Sequence, residues 1–298
     1  MVLLCNIQYP PEGCPAQEQS TLVDMELLYG LHPVEEAIRS GSRKLEHVHV
    51  ARERADRRLE ALLEACRAAG VRVSLTKRDE LTRLAKTDMH QGVVAMVRER
   101  QFLAVEDLIA TPTESTVFKD GYRFFLGLDG VEDPHNLGAI LRAADAAGVD
   151  GVLLPERRSA PVTATVAKTS AGASEHIRIA KVTNLVRSLE EMKKQNIWCI
   201  GLDSNGLQDY DQFDFRMDCV LVLGREGLGL HELTKKTCDY MLRIPMLGSV
   251  SSLNVSVAAA VVMYEMARQR RAGTGPVPGA SAAAVNPAKP KKQKGLGS

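Results

Sequence analysis

Apolar and polar positions alternate along this chain with two periods, and the switch between them marks the elements. From residue 25 onward, helical spacing at 32–40, 55–69 and 78–85 is interleaved with strand-like runs at 45–51, 71–75 and 92–97. This stretch reads as a compact α/β module. A short helix at 105–110 and a mixed Thr/Pro/Ser stretch follow. Apolar runs near residues 124, 152, 177, 198 and 220 then alternate with helical stretches of about a dozen residues each. Such regular alternation predicts a parallel sheet covered by helices on both faces. A last strand at 241–244 leads into a long helix from about 253 to 270.

The pattern lapses in three places. Residues 1–24 carry adjacent prolines, few periodic apolar positions and no basic residue, and are expected to be a poorly ordered extension; Met25 is an alternative start. Residues 101–120 are expected to be a linker. Residues 272–298, rich in Gly, Ala, Pro and Lys, hold too little apolar surface to offset chain entropy and are expected to form a disordered basic tail. The domains are therefore placed at 25–100 and 121–271.

Composition changes this picture little. Apolar content of 45% and charged content of 25% fit an ordinary globular protein, and no run reaches membrane-spanning length, so a cytoplasmic protein is expected. The six cysteines form no Cys-x-x-Cys pair and no metal-ligand spacing with histidine, so no metal site is expected; Cys199 and Cys219 read as core residues. Charge is uneven: residues 25–100 hold 15 Lys/Arg against 12 Asp/Glu, 121–267 hold 15 against 18, and 268–298 hold 7 against none. A polyanion would be drawn to the ends of the chain before its middle.

Three segments carry candidate chemistry. Leu126-Gly-Leu-Asp-Gly-Val-Glu-Asp-Pro-His-Asn-Leu-Gly runs from a strand through an acidic turn into a helix; Val220-Leu-Val-Leu-Gly-Arg-Glu-Gly-Leu-Gly-Leu is a buried-type strand ending in a glycine-rich loop. The third, Ile244-Pro-Met-Leu-Gly-Ser-Val-Ser-Ser-Leu-Asn, joins a strand to an apolar helix, with Ser251 or Ser252 placed to cap it. The glycine order of Gly224, Gly227 and Gly229 differs from a dinucleotide fingerprint, and there is no phosphate-binding Gly-x-x-x-x-Gly-Lys loop. Taken in order, and with the opening Leu28-Tyr-Gly-Leu-His-Pro-Val-Glu-Glu-Ala-Ile, these segments resemble the SpoU/TrmH family of RNA ribose 2′-O-methyltransferases in the SPOUT superfamily.

That resemblance implies a trefoil-knotted, mostly parallel sheet preceded by a ribosomal-protein-like RNA-binding module. It also implies S-adenosylmethionine as cofactor and a homodimer as the assembly. Gly224, Ile244 and Leu253 match positions that contact the cofactor, while Gly227, Gly229 and Gly248 would permit the tight loops around it. Asn136, Arg142, Glu226, Ser252 and Asn254 match the catalytic positions. Arg142 is set in the apolar run Ile140-Leu-Arg-Ala-Ala-Asp, where a charge needs a partner such as Asp145, or a ligand. The family views this arginine as a general base once substrate phosphate engages it. A guanidinium gives up its proton so reluctantly that anchoring the RNA phosphate and orienting the hydroxyl is the physically easier role. His135 reads as a loop residue shaping the RNA face.

The pairing of the amino-terminal module with the third segment most resembles the bacterial enzymes that modify a guanosine of 23S rRNA. A tRNA guanosine 2′-O-methyltransferase, or a non-catalytic RNA-binding ribosome-assembly factor of the same fold, are the alternatives.

Overall fold

A computed structural model describes residues 25–54, 56–110 and 121–271; the 1–24 extension, the 111–120 part of the linker and the 272–298 tail lie outside the described residues. The first domain comprises β1 (Met25–Tyr29), α1 (Leu31–Ser40), β2 (Leu45–Ala51), α2 (Arg57–Ala68), β3 (Arg72–Thr76), α3 (Arg78–Ala85) and β4 (Val93–Arg98). The sheet order is β1-β4-β2-β3, with β4 antiparallel to both neighbours and β3 parallel to β2. Helix α2 starts where the Asp56 carboxylate accepts the Arg58 and Leu59 amides. It buries Leu59, Leu62 and Cys66 in a core shared with Val34, Val48, Val93 and Ala95. Each such Leu or Val contributes about 1.5–3 kcal/mol by leaving water. Strand β1, not foreseen from the pattern, exists through its pairing with β4, Met25 opposite Arg98 and Tyr29 opposite Val94.

The second domain adds α4 (Val105–Ala110), β5 (Phe124–Leu128), α5 (Pro134–Ala146), β6 (Gly151–Pro155), α6 (Ala164–Thr169), β7 (Ile179–Val182), α7 (Leu185–Lys194), β8 (Trp198–Leu202), β9 (Gln208–Asp209), β10 (Cys219–Leu223), α8 (Glu232–Thr237), β11 (Tyr240–Arg243) and α9 (Val255–Arg271). Its seven strands lie in the order β7-β6-β5-β10-β8-β11-β9, every pair parallel. Central β5 and β10 are buried throughout, which is why they read as unbroken apolar runs. The expected helical length holds for α5 and α7, but α6 and α8 are six residues each. Cys199 and Cys219 are wholly buried, as expected, and burial pushes the Cys219 thiol up to about 12. Among the described residues, no helix is long and apolar enough to cross a membrane.

Strand β11 is inserted between β8 and β9, so the 203–207 connection crosses the carboxyl end of β11. It does so in close contact: a Cβ on Gly206 would lie 2.3 Å from the Leu242 carbonyl carbon. The chain leaves β11 beside this connection and continues to α9. Helix α9 packs on α5 and buries Ala259, Val262, Met263 and Met266. Val257 and Tyr264 remain 48% and 49% exposed on its other side.

The two domains are docked. Leu103 donates its amide to the Ile179 carbonyl at 2.9 Å, and Val105 and Leu108 are buried in the second domain's core, so the described part of the expected linker is packed against the large sheet. Glu175 of the second domain is buried and pairs with Arg43 and Arg100 of the first at 2.8 and 2.6 Å.

Candidate active site

Three chain segments meet at the carboxyl ends of β5, β10 and β11. Asp133 accepts the His135 and Asn136 amides and Pro134 occupies the first turn, which starts α5 and turns the Asn136 side chain inward. After β10 the chain folds back through reciprocal Arg225 and Gly229 backbone bonds of 3.0 and 2.9 Å, with Glu226 in the turn. Here Gly224 is demanded by geometry: an added Cβ would fall 2.2 Å from the Gly229 carbonyl carbon. Gly227 and Gly229 have positive φ of 73° and 67°, which only glycine adopts freely. Gly248 has neither a positive φ nor a neighbour within 4 Å of an added Cβ, so the expectation that it is conformationally required is not met.

Asn136, Glu226 and Asn254 form one hydrogen-bonded cluster. The Asn136 amide donates to Glu226 Oε2 at 3.2 Å; Asn254 Nδ2 donates to Asn136 Oδ1 at 2.9 Å and to Glu226 Oε1 at 3.4 Å. Asn254 Oδ1 in turn accepts from the Ser256 amide at 2.8 Å and its hydroxyl at 2.6 Å. The helix therefore begins at Val255 with Asn254, not Ser251 or Ser252, as its cap, and one side chain serves both the cap and the cluster.

Beside the cluster lies an open cleft lined by Gly224, Ile244 and Leu253 together with Leu202, Leu223, Met246, Val255 and Ala258, and edged by Asp203, Ser251, Ser252 and Glu226. An apolar slot, close-packed glycine backbone and a polar rim suit the base, ribose and amino-acid parts of an adenosyl cofactor. Ser252 is exposed on that rim.

Arg142 stands differently from the expectation. It does not interrupt a buried apolar face, because α5 turns Leu141 and Ala144 inward and leaves Arg142 exposed between them. It does not line the cleft, and among the described residues it has no ion pair, with Asp145 or otherwise. His135 is exposed at the start of α5, outside the cleft lining.

The sequence reading missed the residues that hold these loops. Asp203, at the end of β8, is buried and pairs with Lys235 at 3.0 Å while accepting the Asn205 amide at 3.0 Å. Burial works against its ionisation, but the Asn205 and Leu230 amides and the Lys235 ammonium outweigh it and hold its carboxyl below the usual range. Asp129, ending β5, accepts the His231 amide at 2.8 Å and meets His231 Nδ1 at 2.8 Å, tying the β5–α5 turn to the loop after β10. The signal available was an acid at the end of each of two buried strands. No group of His, Cys, Asp and Glu among the described residues is arranged to hold a metal ion.

Comparison with known proteins addresses the same two domains. Residues 123–264 match the SpoU rRNA Methylase family and residues 27–103 match the RNA 2′-O ribose methyltransferase substrate-binding family. A 23S rRNA (guanosine-2′-O-)-methyltransferase of Pseudomonas aeruginosa is 43% identical over 247 residues, covering 82% of this chain and 97% of that protein. The chain belongs to the SpoU rRNA methylase family. The enzyme of the same description from Escherichia coli is 40% identical over 250 residues, 82% of this chain and 99% of its own. Among solved structures, the SpoU methyltransferase of Streptomyces viridochromogenes in complex with AdoMet superposes with a TM-score of 0.69 at 25% identity, covering 88% of this chain and 96% of that one. The two family matches fall in the same order as the two domains.

Proposed function

We propose that this protein transfers a methyl group from S-adenosylmethionine to the ribose 2′-hydroxyl of a guanosine in 23S rRNA, with residues 25–100 recruiting RNA and 121–271 carrying out transfer. The observation that carries the proposal is the Asn136–Glu226–Asn254 cluster beside the cleft of Gly224, Ile244 and Leu253. The substrate assignment draws on relatives that match nearly their whole length to this chain.

When bound, S-adenosylmethionine would supply a sulfonium-activated methyl group for the ribose 2′-oxygen. The protein's task is alignment, which can account for about 7–11 kcal/mol of barrier. Gly224, Ile244 and Leu253 hold the cofactor. Glu226, fixed by two amides, anchors the loop at the cleft edge, and Asn136 and Asn254 set its direction. Ser252 on the rim offers a hydroxyl to the nucleotide. Arg142, exposed and without a protein partner among the described residues, is free to take an RNA phosphate.

The active form is a homodimer in the cytoplasm. Val257 and Tyr264, half exposed on α9, share one helical face with Val261, and Leu247 and Val250 are exposed in the preceding loop. Sedimentation at micromolar concentration is expected to give a dimer, and a monomer alone would refute that part.

The decisive assay incubates the protein with methyl-labelled S-adenosylmethionine and separately transcribed 23S rRNA and tRNA, with methylated nucleotides mapped by mass spectrometry. One 2′-O-methylguanosine in the 23S transcript is expected. Label confined to tRNA would replace the substrate; no label and no heat of cofactor binding would favour the assembly-factor reading.

A further inference from the structure

The first domain carries a second concavity, of about 500 Å³, that plays no part in the cleft described above. It is lined by His32 at the start of α1, by Glu53 and Arg54 after β2, and by Arg58, Arg78 and Gln91. Arg54 is held in place: its Nε donates to Asp56 at 2.5 Å and its Nη1 to the Gln91 carbonyl. Arg58 Nη2 lies 3.3 Å from His32 Nε2, and His32 Nδ1 lies 3.5 Å from Glu35. Among the described residues neither Arg58 nor Arg78 has a carboxylate partner. Three guanidinium groups around one hollow, two of them uncompensated, form a site for an anion with several acceptor oxygens. Glu53 is the acid on its lining, so the balance remains cationic.

Resting on the proposed RNA-methylating function, we propose that this pocket grips the phosphodiester backbone of the substrate RNA through Arg54, Arg58 and Arg78, and is where the first domain recruits it. Backbone rather than base is indicated because guanidinium groups dominate the polar lining, and these pair with phosphate oxygens whatever the base. The charge distribution agrees: residues 25–100 hold 15 Lys/Arg against 12 Asp/Glu, whereas residues 121–271 hold 18 against 18, so the net attraction for RNA is greater in the first domain. The pocket contributes affinity and register without reading sequence.

The test uses the full chain and whichever RNA the wild type methylates, 23S or transfer RNA. The R58A/R78A variant is compared with R67A/R72A, which removes the same charge from exposed positions of the same domain outside the pocket. Removal of Arg58 and Arg78 is expected to weaken RNA binding roughly tenfold near 100 mM salt, and to lower the slope of log affinity against log salt by about 1–2. KM for RNA should rise with it, with kcat at saturating RNA and cofactor affinity unchanged. The loss should be equal on cognate and unrelated RNA, while R67A/R72A stays near wild type. Equal effects of the two double variants, or none from R58A/R78A in a chain with wild-type melting, would overturn the pocket while leaving the methyltransferase reading intact. A wild type that methylates tRNA alone changes the substrate but tests the pocket on that RNA; a wild type that binds no RNA overturns both.

Discussion

At the scale of single residues, the site depends on a few hydrogen bonds with defined direction. Asn136 donates to Glu226 and accepts from Asn254, a pair of roles that an amide fills and an ionised carboxylate, which only accepts, cannot. Asn136→Asp would set a carboxylate against Glu226. Losing a hydrogen bond to a charged group costs about 1.5–3 kcal/mol. Methyl transfer is expected to fall by at least roughly tenfold with cofactor affinity changed little; single-turnover rates beside calorimetric cofactor titration check this. Asp203 makes a pH-dependent contribution. Its folded pKa lies below its ordinary value of about 3.9, so its stabilisation is complete above that value and is lost as pH falls through the folded pKa. Melting curves of Asp203→Asn and wild type should differ at pH 7 and converge as pH falls below about 4. A difference independent of pH would assign its effect to packing.

At the scale of elements, the loop after β10 is held from several sides. Its turn is closed by Arg225 and Gly229, pinned from below by Asp129 through His231, and packed at Gly229 against Asp203, where an added Cβ would lie 2.7 Å from Oδ2. Gly224→Ala cannot be absorbed by a flexible side chain, because its obstruction is backbone. The loop must open, and cofactor affinity is expected to fall by at least tenfold, with a lower melting temperature; a titration matching wild type would contradict this geometry. The glycine-rich loop was legible in the sequence because Gly224, Gly227 and Gly229 follow an unbroken apolar strand. Its pins were not, since Asp129 and Asp203 lie far from it in sequence. Helix α9 gives a related lesson: Ser251 and Ser252 are good caps by type, yet the chain geometry awards that place to Asn254.

At the scale of the whole molecule, the domains are joined by a buried ion network. Glu175 accepts from Arg43 at 2.9 and 2.8 Å and from Arg100 at 2.6 Å. Burial lowers the Arg100 pKa, against which Glu175 acts to raise it. Removing one member of such a network costs roughly 3–5 kcal/mol, because the remaining charges stay buried. Glu175→Gln is therefore expected to lower the denaturation midpoint substantially, and to separate the unfolding of the two domains in calorimetry. An unchanged single transition would place the coupling elsewhere. This docking fixes the arginine-lined pocket of the first domain relative to the cleft of the second, so an RNA held at one is presented at a set distance to the other.

The sequence by itself determined the two α/β units, the parallel sheet and the three segments that bear the site, because each is a local pattern: strand period, helix period, glycine where backbone is crowded. It also named Asn136, Glu226 and Asn254 through family resemblance. Only the tertiary structure decided that these three touch, that Arg142 is exposed rather than set in an apolar face, and that β1 is a strand. It alone also decided that β11 lies between β8 and β9. These depend on contacts between residues distant along the chain, such as Asn136 with Asn254, and such contacts leave no periodicity in the sequence.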